Sequence, residues 1–170
     1  MYCNCSSQGY HGCNPCQYFS TIGTSVSRWC SSGTLDAPYA DYAFLTRTNE
    51  LTAEAGEPIQ LNGPSMVTGA FSYANGLLTI SQPGIYRLCY IVNLPFETMQ
   101  DPGLMFYVRA GENIVAGTQA STQGPGTLAV QAIFEVTSRV SLALVCNTSF
   151  SVNALNEGDV LASLLVEKLA

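Results

Sequence analysis

Gly84-Ile85-Tyr86-Arg87-Leu88-Cys89-Tyr90-Ile91-Val92-Asn93 decides the fold class of this 170-residue chain. The stretch follows a turn, Ser81-Gln82-Pro83-Gly84, and then alternates without a break. Tyr86, Leu88, Tyr90 and Val92 fall on one side, and Ile85, Arg87, Cys89 and Ile91 on the other. A period of two in β-branched and aromatic residues predicts a strand. The first side is wholly apolar and belongs in a core. The second is apolar except for Arg87 and carries a thiol, which is unexpected for a side that meets only water.

The same reading extends outward in both directions. Short β runs are predicted near Ala43–Arg47, Pro58–Leu61, Thr68–Tyr73 and Leu77–Ile80 before the central strand. Others follow it near Gly103–Arg109, Ile114–Ala120, Thr127–Val136, Ser141–Cys146 and Val160–Glu167. Between them lie turn signals. Asn75-Gly76 suits the positive φ of a type I′ hairpin turn. Gly56-Glu57-Pro58, Asn62-Gly63-Pro64, Asp101-Pro102-Gly103, Gly124-Pro125-Gly126 and Asn156-Glu157-Gly158-Asp159 mark further breaks. About ten strands at this spacing, with no convincing helix, predict an all-β sandwich of the jelly-roll kind. Residues 50–55 have the composition for a single helical turn, a minor alternative within the all-β reading. No internal repeat and no Gly-X-Y run is present.

Composition narrows the function classes. Hydrophobic residues make up 47% of the chain and charged ones only 11%, against about 25% in a typical soluble protein. Lys168 is the single lysine. Charge repulsion ordinarily keeps soluble surfaces apart, so this scarcity favours a protein that packs against copies of itself. A net charge of -6 with no basic cluster argues against nucleic acid and against attachment to anionic lipid. No apolar run reaches the length of a membrane span, so no membrane insertion is expected.

Residues 1–38 differ from residues 39–170 and are read as a cysteine-rich arm preceding one sandwich domain. The arm holds Cys3, Cys5, Cys13, Cys16 and Cys30, the only histidine (His11) and the only tryptophan (Trp29). Fully extended, ~35 residues reach on the order of 110 Å, well beyond the radius of one domain. Met1-Tyr2-Cys3-Asn4-Cys5 has neither a basic nor an apolar leader region, so no signal peptide is read there. Seven cysteines in total nevertheless fit an oxidising, extracellular setting. With an odd number, full oxidation would require at least one bond between chains.

Three chemistries compete for the arm. Cys3, Cys5, Cys13 and Cys16, with His11 between them, have the ligand types for a tetrahedral zinc site, although Cys3-x-Cys5 is an unusual spacing for one. Disulfide cross-links are the favoured reading, and unpaired thiols the third. Enzymatic chemistry is not expected. The lone imidazole lies in the arm, which removes a Ser-His-Asp triad from the sandwich. The carboxylate pairs Glu97/Asp101 and Glu157/Asp159 sit in turn-rich segments where solvated side chains are the ordinary case. Phe71, Tyr73, Tyr86, Tyr90, Phe106 and Tyr107 alternate along their strands, which favours packing in the core or at a subunit axis over a sugar platform. Arg87 and Arg109, flanked by apolar neighbours, are candidates for subunit contacts or for guanidinium groups lying over apolar surface.

Four blocks then carry a resemblance: Tyr42-Ala43-Phe44; Thr79-Ile80-Ser81 with Gly84-Ile85-Tyr86; Val130-Gln131-Ala132-Ile133; and the end, Leu164-Leu165-Val166-Glu167-Lys168-Leu169-Ala170. Together with Gly69-Ala70-Phe71-Ser72 and the turn-Gly-x-Tyr strand, they resemble the trimeric jelly roll of the complement/TNF superfamily. Within it the chain looks similar to the C-terminal domains of BclA-like exosporium proteins of bacterial spores. The resemblance spans residues 39–170 and implies a threefold trimer with one sheet of each subunit turned to the axis. It does not carry over a collagen-like stalk, which this chain lacks. The cysteine arm is similar in kind to those of spore-appendage subunits, which implies disulfides to cysteines in neighbouring bodies, with Cys89 and Cys146 as acceptors.

The expected function is a structural, self-assembling subunit of a bacterial fibre or coat at the spore surface. Its partners would be itself and other spore-surface proteins, and it would need no cofactor. The alternative is a trimeric binding head displayed at a surface, which would recognise a host protein or glycan through Phe96–Gly103 and Thr118–Gly126.

Overall fold

The computed structural model describes residues 41–95 and 103–170. The arm with Cys3, Cys5, His11, Cys13, Cys16, Trp29 and Cys30, the Glu97/Asp101 pair and most of the Phe96–Gly103 loop lie outside the described residues.

Thirteen strands run through the described residues. In chain order they are β1 (Tyr42–Thr48), β2 (Glu50–Ala53), β3 (Met66–Val67), β4 (Phe71–Ala74), β5 (Leu77–Ile80), β6 (Gly84–Leu94) and β7 (Leu104–Ala110). They continue as β8 (Asn113–Ile114), β9 (Ala120–Thr122), β10 (Gly126–Val136), β11 (Val140–Cys146), β12 (Phe150–Asn153) and β13 (Val160–Lys168). One sheet has the order β10-β6-β13-β1-β3, and the other the order β4-β5-β11-β7-β8 with β9 also on β7. A two-stranded ribbon, β12-β2, completes the set, and every recorded pairing is antiparallel.

The opening stretch is β6, the second strand of the five-stranded sheet. Tyr86, Leu88, Tyr90, Val92 and Leu94 are buried on its inner side. They pack with Leu45, Leu104, Phe106, Val108, Leu142, Leu144, Leu164 and Val166 into one core. Aromatic rings tie its layers together: Phe71 meets Tyr86 edge-on at 5.8 Å, and Phe106 meets Phe150 edge-on at 5.6 Å. The wholly apolar side of the stretch is thus the sandwich side, as its alternation predicts.

Turn chemistry sets the connections. Asn75 and Gly76 have φ of 52° and 76°, the positive pair that a type I′ turn needs between β4 and β5. Gly84 has φ 156°, and a Cβ there would stand 2.3 Å from the Ala170 carbonyl oxygen. Glycine is required because the chain end folds back here: Ile85 N–H donates to Ala170 O at 2.9 Å, and Leu169 N–H to Ile85 O at 2.7 Å.

Several expected elements come out differently, each for a physical reason. The helical turn at residues 50–55 is instead strand β2, paired with β12 through Phe150↔Ala53 and Val152↔Leu51. Leu51 and Ala53 are buried while Glu50 and Thr52 are exposed, so burial with period two overrides a modest helix propensity. Strand β12 had no counterpart among the predicted runs. Pro58–Leu61 forms no strand; Pro58 makes an isolated bridge to Val145, and Ile59 N–H donates to Leu144 O at 2.8 Å. Proline removes the donor that would extend the ladder. The run near Thr68–Tyr73 is a corner between sheets: β3 joins the five-stranded sheet and β4 the other. Finally, Ile114–Ala120 breaks into β8 and β9 around a turn anchored by buried Val115 and Thr118. There the Thr118 hydroxyl donates to Val115 O at 2.7 Å and accepts Val108 N–H at 3.0 Å.

Candidate functional site: the outer face of the five-stranded sheet

Alternation along β6 leaves Ile85, Arg87, Cys89, Ile91 and Asn93 on the side away from the core. Neighbouring strands continue that surface in register. One row runs Gln131–Cys89–Leu165–Phe44–Met66 across β10, β6, β13, β1 and β3. The next runs Ile133–Arg87–Glu167–Tyr42. Another holds Ala129, Ile91, Ser163 and Thr46. Leu169 lies beside Ile85 at the end of the sheet.

This is an apolar face on the outside of a sandwich. Phe44, Met66, Ile85 and Leu169 are exposed, and Ile133 most of all at 65%. Cys89, Ile91 and Leu165 are half-buried by their neighbours. Single exposed apolar residues are ordinary, but a contiguous set on one flat face marks an interaction surface.

The charged groups on this face are few: Arg87, Glu167 and Glu135. Arg87 and Glu167 stand directly opposite each other on β6 and β13 and form an ion pair. Their side chains are 42% and 21% exposed. Water screens the pair in the isolated subunit, where it contributes about 1 kcal/mol or less. Covering it with another subunit would remove that screening, and the pair would then fix orientation more than affinity.

The remaining singled-out residues divide between core and surface. Phe71, Tyr86, Tyr90 and Phe106 are buried in the sandwich. The Tyr90 hydroxyl donates to Thr118 O at 2.7 Å, with Phe106 O as a second acceptor at 3.1 Å. Burial pushes its phenol well above the usual tyrosine range. Burial, followed by the charge of Asp41, likewise raises Tyr86, whose hydroxyl donates to Gln82 O at 2.9 Å. Tyr107 and Arg109 lie on the outer side of the second sheet, where Arg109 reaches Gly56 O at 3.4 Å. Arg87 alone of these candidates lies on the apolar outer face.

The two cysteines of the sandwich differ in access. Neither is bonded to another cysteine among the described residues. Cys146 is fully buried in the core, and burial raises its thiol above the ordinary range, which suppresses the reactive thiolate. Cys89 is half-buried at the middle of the outer face, between Gln131 and Leu165.

Phe44, Met66, Ile133, Leu165, Glu167 and Leu169 are not among the contact candidates read from sequence, although all but Met66 lie in the blocks that carry the resemblance. Ile133 carries a readable signal: it is the one large apolar residue on the side of β10 that holds Thr127, Gln131 and Glu135. Met66 carries none, because a two-residue strand has no period.

The strand orders and the single shared core are those of a jelly-roll β-sandwich. Solved structures of murine APRIL have this arrangement. The one at pH 8.5 aligns with a TM-score of 0.55 at 13% identity, covering 76% of this chain and 99% of that one. The one at pH 8.0 gives 0.53 at 13% identity, with the same coverage. At such identity the likeness is one of fold. No protein-family model matches the chain, and no curated protein matches it.

Proposed function

We propose that this protein is a structural, self-assembling subunit whose jelly-roll bodies form a homotrimer through the outer face of the five-stranded sheet. The observation that carries the reading is that face: exposed Phe44, Met66, Ile85, Ile133 and Leu169 around one ion pair, on a chain with only 11% charged residues. Each large apolar side chain removed from water there contributes about 1–2 kcal/mol, and the sum must exceed the entropy lost on association. A threefold arrangement is what the complement/TNF resemblance implies for a body of this fold.

The arm then links trimers into a fibre or coat. Its five cysteines are the donors in this scheme: a body thiolate attacks an arm disulfide and displaces the other arm sulfur as a thiolate, and Cys89, unlike the core residue Cys146, can be reached for this while its face is still uncovered. The setting in this reading is extracellular and oxidising, and the resemblance of its short blocks to exosporium heads favours a spore-surface location. Catalysis has no role in this reading.

The covalent part is tested by electrophoresis of full-length native material with and without reductant. A ladder, or material that fails to enter the gel, should collapse to one band on reduction. A single monomer band in both lanes would remove the covalent linkage.

A further inference from the structure

Strand β10 forms one border of the five-stranded sheet along its whole length. It pairs with β6 from Gly126↔Leu94 to Val136↔Gly84 without a register shift. On its other side it has no backbone hydrogen-bond partner among the described residues. In an antiparallel strand, alternate residues direct N–H and C=O to opposite sides, so about half of its backbone groups point out along an edge of ~34 Å. Proteins usually blunt such an edge with lysine, proline, a bulge or short length. The other sheet borders use short length: β3 and β8 have two residues each and β4 has four. Strand β10 has eleven residues, with no lysine, arginine, proline or bulge, and Glu135 as its only charge. Its side chains are also incompletely covered, Ile133 outside and Leu128, Val130 and Phe134 toward the core.

We propose that β10 pairs antiparallel with β10 of a second copy, joining two five-stranded sheets into one continuous sheet across a twofold axis. The strand is self-complementary in the register that pairs all eleven residues. Gln131 meets its own copy. On the outer face Ile133 lies opposite Ala129, and Glu135 opposite Thr127. On the inner face Val130 lies opposite Ala132, and Phe134 opposite Leu128. Bulk meets small volume in two of these pairs, and the only charge meets a hydroxyl. The two Glu135 side chains sit at opposite ends, ~27 Å apart along the strands, well beyond a screening length of about 8 Å. A one-residue slip would turn every side chain to the wrong face. Slips that lengthen the C-terminal overlap bring the two carboxylates toward each other. Because the contact is isologous, it closes after two copies and leaves only the two-residue β3 strands as borders of the joined sheet. Its hydrogen bonds lie in the plane of the sheet, whereas the trimer contact uses the face above it, so the inference extends the trimer reading without depending on it.

A charge-swap experiment on the full chain in reductant decides the matter. Gln131→Glu and Gln131→Lys each place like charges on a position that meets itself, and each should weaken two-copy association roughly 5- to 10-fold. An equimolar mixture of the two variants should restore it, read by sedimentation in the Leu165→Glu background, where the outer-face contact that Gln131 also borders is broken. Thr127→Arg, set opposite Glu135 of the partner copy, should tighten association and supplies a test in the gaining direction. A mixture as weak as either variant alone, or variants that associate like the parent, would overturn the pairing. If the trimer reading alone is wrong, the charge-swap pattern persists while the parent chain forms no three-copy species.

Discussion

Tyr90 shows how a single side chain serves the fold here. Its ring fills the core, and its hydroxyl satisfies the carbonyl of Thr118 in a turn that is itself held by the Thr118 side chain. Replacing it by phenylalanine keeps the packing and leaves that carbonyl without its donor. The expected loss is about 1–2 kcal/mol, read as a lower urea midpoint with an unchanged slope. Tyr73, Tyr86 and Tyr90 also carry a pH signature, since burial raises all three phenols. The unfolded chain releases those protons near the ordinary tyrosine value of about 10, before the folded chain does. Stability should therefore hold up to about pH 9–10 and fall as pH rises further, with a smaller fall in Tyr90→Phe; denaturation curves at several alkaline pH values check this. The cysteines give a third expectation. Alkylation followed by peptide mass mapping should leave Cys146 unmodified until denaturant is added, because its thiol has no solvent contact and its thiolate is disfavoured. Labelling of native Cys146 at the rate of a free thiol would contradict its place in the core.

Among the elements, the meeting of β6 with the chain end is the most sensitive. Gly84→Ala would drive a methyl group into the Ala170 carbonyl, and a cost of about 1–3 kcal/mol is expected in the denaturation midpoint. The elements also show what the sequence made legible. Strands β1, β5, β6, β7, β10, β11 and β13 are long or strictly alternating, and each was readable from period two and its flanking turns. The hairpin at Asn75-Gly76 was readable because its two positive φ angles demand those residue types. Strand β2 was not, since Glu50-Leu51-Thr52-Ala53 has too few residues to separate a strand from a helical turn, and only its pairing with β12 decides. Strands β3 and β8 have no period at all. Part of the candidate face was legible for the same reason: the second side of β6 was visibly too apolar for water. The rest of that face depends on which strands lie beside β6, and sheet order is a long-range property that no local pattern encodes.

At the scale of the molecule, the core accounts for one side of β6 and leaves the other to account for its apolar residues elsewhere. The proposed self-association through that side would account for the low charge, the exposed Phe44, Met66, Ile85, Ile133 and Leu169, and the Arg87–Glu167 pair. Leu165 sits near the middle of the face, between Cys89 and Phe44, and points away from the core. Leu165→Glu should leave the sandwich folded and place an unpaired carboxylate in the contact, weakening association at least about 100-fold. Native mass spectrometry of the full chain in reductant, for the parent and for Leu165→Glu, measures this directly. The parent should contain three-chain units, alone or paired across β10, and the variant should lose them and run as one or two chains with an unchanged circular dichroism spectrum. A parent that stays a single chain, or a variant that assembles like the parent, would contradict assembly through this face.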